Sequence, residues 1–186
     1  MKKLNLKSLK LLSGSHSSVE QGLCIMEAVA YFAGEKHSDK PECACPVLTS
    51  YMIKINDSMN EEERQKLKPY IKKLIGTKDG NSAKRLEILV HHACTKITPF
   101  ALELANLPKE AEIMRQLKMG DYSAARSAAW SAAESAELAE LAAWSAARSA
   151  AESAAWSAAW SAAAKDRKVY WKMALKALDE ALKVGK

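Results

Sequence analysis

The 186-residue sequence predicts an all-α fold, a helical bundle with long Ala-rich close-packed C-terminal helices. Three observations carry that expectation. Residues 121–164 are written almost entirely in Ser-Ala-Ala-X tetrads, where X is Arg, Trp or Glu. No Gly or Pro interrupts the chain from Asp121 to Val184, and alanine is the strongest helix former. Period-two alternation, the mark of a half-buried strand, is absent.

The elements follow in order. Leu4 to Leu12 is a short amphipathic segment, and Ser13-Gly14-Ser15-His16 reads as a turn. Ser17-Ser18-Val19-Glu20 matches a capping box, so a helix is expected from about Ser18 to Ala33, ended by Gly34. A polar loop spans Glu35 to Cys45. Pro46 opens the next helix in its first turn and carries Val47, Leu48, Tyr51, Met52 and Ile55 inward. Asn60 caps a third helix with Glu61, Glu62 and Glu63 in its first turn; Pro69 marks a kink and Gly76 the stop. After the turn Lys78-Asp79-Gly80-Asn81, a helix runs from Ser82 to about Ile97. Pro99 begins another through Leu104, and Pro108 a short one ending before Gly120. Gly120 divides the chain into residues 1–120, of mixed composition and carrying the candidate ligand loops, and the repeat region 121–186.

In the repeat region Asp121 is an N-cap for a helix starting at Tyr122. A four-residue repeat drifts about 40° per step, and the two three-residue steps through Leu138 and Leu141 turn the stripe back. Residues 18 apart then align, Arg126 with Trp144 and Trp130 with Arg148. A single helix to Val184 would be roughly 90 Å long, against roughly 40 Å for a compact domain. Ser131, Ser149 and Asp166 are therefore expected restarts, unless the helix projects and is covered by another chain.

Charge narrows the function. The net +6 divides into +5 over residues 1–120, −3 over 121–164 and +4 over 165–186. Four of the five tryptophans lie in the acidic tract, which disfavours a nucleic-acid groove combining aromatics with a basic track. No sequence-specific nucleic acid is expected. The start Met1-Lys2-Lys3-Leu4-Asn5 lacks the apolar stretch of a leader, and no run is apolar enough to span a bilayer. The expected setting is cytoplasmic, off the membrane, with reduced cysteines.

Four constellations could carry chemistry. Glu27 is the lone charge in the apolar run Leu23–Ala33, so partial burial and a partner or a raised pKa are expected; it is a candidate to grip a ligand, or a structural ion pair. The loops bearing His16 and Ser17, and Lys36, His37 and Asp39, would suit a phosphate where a helix N-terminus offers free N–H groups; ordinary capping is the simpler reading for any one serine. Cys24, His37, Cys43 and Cys45 form an alternative zinc set, although C-x-C spacing lacks a matched knuckle. The stripe of Arg126, Trp130, Trp144 and Arg148 could sandwich a planar ligand, or fill a core or a subunit interface. The adjacent His91 and His92 diverge by about 100° and do not share a ligand.

Taken with the Ala/Trp repeat, the segments Gly14-Ser15-His16, Cys24-Ile25-Met26-Glu27, Ala33-Gly34-Glu35-Lys36-His37-Ser38-Asp39 and Cys43-Ala44-Cys45-Pro46 resemble an uncharacterised family of bacterial and bacteriophage helical proteins. The resemblance implies a phage or mobile-element setting, in the host cytoplasm, and permits a counter-defence role. The leading expectation is a non-enzymatic, homo-oligomeric binding protein, without a cofactor, that sequesters a small anionic ligand of nucleotide type. An enzyme using Glu27 and His37 as acid and base on a nucleotide or glycosidic bond is the first alternative. An immunity-type interaction protein acting through the Ala/Trp helices is the second.

Overall fold

The computed structural model describes residues 4–104, 106, 108–120 and 164–185. Their regular elements are all helices, with no strand among them and a single isolated parallel bridge between Leu11 and Leu23. The Ala/Ser/Trp tract lies outside the described residues, with Arg126, Trp130, Trp144, Arg148 and the restarts expected at Ser131 and Ser149. Among the described residues no helix is long and apolar enough to cross a membrane. The chain divides into two compact units, Met1–Arg85 with Leu182–Lys186, and Leu86–Ala181.

The first unit holds α1 (Ile25–Ala33), α2 (Pro46–Ser58), the short α3 (Glu61–Arg64) and α4 (Tyr70–Leu74). Helix α1 packs against α2 and α4. Ile25, Met26 and Val29 of α1 are buried with Leu48, Met52 and Ile55 of α2 and Ile71 and Leu74 of α4. Asn60 caps α3 by accepting Glu63 N–H at 2.8 Å. A 3-10 turn, Gln65–Leu67, leads to Pro69 and α4, which is the kink expected from the proline.

The start of α1 differs from the sequence expectation. Val19–Gln21 forms only a 3-10 turn, and α1 begins six residues later than Val19, at Ile25. The break is Gly22, with φ +120°, a conformation L side chains rarely adopt. A Cβ there would lie 2.3 Å from Leu12 Cδ1. This approach lets Leu12 N–H donate to the Leu23 carbonyl at 2.9 Å, so the chain is extended through Leu23 where a helix was expected.

The second unit holds most of α5 (Ser82–His92), then α6 (Thr98–Leu104), α7 (Pro108–Arg115) and α8 (Ala164–Ala181). One helix ending near Ile97 and another starting at Pro99 were expected, but α5 runs on into α6 without a break. It widens into a π turn, Ala93–Ile97, in which Thr98 N–H donates to Ala93 O. Pro99 has no N–H and its ring crowds the carbonyl four residues back, so the wider turn absorbs the defect without ending the rod. Thr95 Oγ1 also donates to His91 O at 2.8 Å. Cys94, Met114 and Leu117 form a small core with Val90 and Leu102 against it, and Ala174, Ala177 and Leu178 of α8 are buried.

Candidate functional site

Glu27 is built into the first turn of α1. Cys24 is the N-cap, and the capping box is Cys24–Glu27, not Ser17–Glu20. Cys24 Sγ accepts Glu27 N–H at 3.5 Å, and Glu27 Oε2 accepts Cys24 N–H at 2.7 Å. The Glu27 side chain is 1% exposed, yet its carboxylate is well supplied with donors. Oε1 accepts His16 backbone N–H at 2.6 Å, and Oε2 accepts from His16 Nδ1 at 2.8 Å. Burial pushes the carboxyl pKa up, but the hydrogen bonds from Cys24 and His16 outweigh it and hold the group below its ordinary value.

His37 arrives from the loop after α1. Gly34, at φ +78°, ends the helix in the left-handed region and turns the chain. His37 Nε2 lies 2.7 Å from His16 O and 3.7 Å from Glu27 Oε1. A carbonyl can only accept, so Nε2 carries the proton. His37 Nδ1 is buried with no hydrogen-bond partner among the described residues. The same reasoning puts the His16 proton on Nδ1, facing the carboxylate. His16 Nε2 has no protein hydrogen bond among the described residues, and the side chain is 13% exposed.

The structure thus brings His16, Glu27 and His37 together. Ser17 and Lys36 are exposed and flank this trio in the chain, and Asp39 is half-buried. Ser17 N–H donates to Gln21 Oε1 at 3.1 Å. The zinc set does not assemble: no group of three or more His, Cys, Asp or Glu side chains among the described residues could hold a metal ion. The sulfurs are placed by helix starts instead, Cys24 at α1 and Cys45 at α2, where Cys45 Sγ lies 3.3 Å from Ser82 Oγ. Burial pushes the Cys24 thiol up to about 12.

Two clusters were not singled out from sequence. Arg85, 1% exposed, pairs both Nη atoms with Asp79 at 2.6 Å and donates to Thr77 O at 2.6 Å and Val184 O at 2.8 Å. In the second unit His92 Nε2 meets Glu180 Oε2 at 2.7 Å. Asp79, six residues before Arg85, was the only signal for the first. Nothing in the sequence indicated the second, a pair 88 residues apart.

The chain matches no protein-family model, and no curated protein or solved structure matches it.

Proposed function

We propose that this protein is a non-enzymatic binding protein that holds a small anionic, nucleotide-type ligand where the His16 loop meets the His37 loop. The carrying observation is the His16 ring. Its Nδ1–H is fixed by a buried carboxylate, and its Nε2 is left without a protein partner among the described residues. A polar atom kept in position but unclaimed is what a binding site requires, because orienting it beforehand lowers the entropy lost on binding. Exposed Ser17 and Lys36 beside the two histidines supply a hydroxyl and a positive charge for the anionic part. Glu27, 1% exposed, acts through His16 and is a positioning residue.

The test is calorimetric titration of wild type and His16→Ala with a panel of nucleoside mono-, di- and cyclic phosphates. Binding by wild type that weakens at least tenfold in His16→Ala supports the reading. Equal affinity in both proteins removes His16 from the site.

One observation favours a second reading, an enzyme. A carboxylate that orients an imidazole, leaving Nε2 as acceptor, is the arrangement of a general base. In that case the reacting group is His16, because Glu27 is buried and His37 Nε2 is tied to the His16 carbonyl. Turnover of a bound nucleotide separates the two readings.

A further inference from the structure

The hydrogen bonds that fix the two imidazoles also fix what they offer a ligand. In the neutral ring, one nitrogen donates and the other accepts. His16 spends its proton on Glu27, and His37 spends its proton on the His16 carbonyl. The remaining atoms, His16 Nε2 and His37 Nδ1, are therefore both acceptors. An anion is also an acceptor, so it has nothing to bond to on a neutral His16.

The charges around the ring sharpen the conflict. Glu27 lies against His16 from α1. Glu20, from the 3-10 turn, acts electrostatically on His37, and Asp57 of α2 accepts Gly14 N–H at 2.7 Å, two residues before His16. No Lys or Arg hydrogen-bonds to this trio among the described residues. One extra proton resolves the conflict. Placed on His16 Nε2, it makes a donor for the anion, and Glu27 compensates the imidazolium through the Nδ1–H bond already present.

We propose that anion binding at this site is proton-coupled, with one proton taken up at His16 for each anion bound. This rests on the binding reading above and adds the chemistry of the complex. The ligand's anionic group meets His16, and an anion that carries no proton of its own near neutrality, such as a phosphate diester or sulfate, needs the one placed on Nε2.

Sulfate is the probe, since it does not take up a proton near neutrality. Nitrogen-15 spectra of the histidine side chains, recorded on the wild-type chain during sulfate titrations from pH 6 to 8.5, read both charge and tautomer. The expected result is that the free protein in its neutral state shows His16 with hydrogen on Nδ1. Added sulfate then moves both His16 nitrogens to imidazolium positions, and the affinity falls about tenfold per pH unit where His16 is neutral. Sulfate that shifts the amides of Gly14 to Ser17 with unchanged affinity across this range, while His16 stays neutral, overturns the coupling and leaves the binding site standing. If neither sulfate nor any nucleotide binds across the range, both proposals fall together.

Discussion

Replacing Glu27 by Gln probes the site without changing its shape. Three N–H groups share the two carboxylate oxygens: His16 N–H on Oε1, with Cys24 N–H and His16 Nδ1–H on Oε2. An amide has one oxygen. Whichever way it sits, the N–H of His16 or of Cys24 faces an NH2 group. An orphaned buried N–H costs about 1–3 kcal/mol, and loss of the charge weakens the surviving bonds by about 1 kcal/mol. The sum is about 2–4 kcal/mol. Urea unfolding followed by far-ultraviolet circular dichroism measures it. Tryptophan fluorescence is the wrong probe, because all five tryptophans lie after residue 120. Hydrogen exchange should show the Cys24 or His16 amide exchanging faster in the variant. A stability within about 0.5 kcal/mol of wild type, with both amides still protected, would refute the reasoning.

Four further predictions follow from the same geometry. Glu27 titrates below its ordinary carboxyl value, so its contribution is complete above that value and is lost as pH falls through the depressed one; the stability of wild type should drop with acid more steeply than that of Glu27→Gln, and equal slopes would contradict this. Gly22→Ala should cost about 1–3 kcal/mol, read from the thermal midpoint, because the residue stands at φ +120° with Leu12 Cδ1 2.3 Å from the added Cβ; an unchanged midpoint would show that the segment re-forms without the positive φ. Arg85→Ala should destabilise by about 3–5 kcal/mol, since it removes a buried guanidinium and leaves Asp79 and two carbonyls without it, and urea midpoints decide the matter. Burial pushes Cys24 up to about 12 and Cys94 up to about 11, so both should resist iodoacetamide at pH 8 in peptide mapping of the folded chain; rapid labelling of either would show that its environment opens.

Much of the helical frame was legible in sequence, and for local reasons. Pro46, Asn60 and Pro108 begin helices where their backbone preferences place them. The burial of Glu27 could be read because it is the only charge in an apolar run. Its cap could not. Ser17-x-x-Glu20 fits the capping pattern better than Cys24-x-x-Glu27, but Gly22 approaches Leu12 and moves the helix start. That decision is tertiary, made by a contact ten residues away. The π turn has the same character: Pro99 announces a defect, and packing decides whether the helix ends or widens. His16 and His37 were candidates by residue type, but their convergence on one carboxylate depends on loop paths that periodicity does not encode. Arg85, in Ser82-Ala83-Lys84-Arg85, looks like a solvated charge, and only the folded tail carrying Val184 reveals its burial.

The most direct test of the binding account is native mass spectrometry of the protein isolated from cells, wild type beside His16→Ala, with released small molecules identified after denaturation. The account predicts that wild type carries an anionic, nucleotide-type molecule and that the folded variant has lost it. A wild-type protein carrying nothing, or a variant that retains the same molecule, would contradict it.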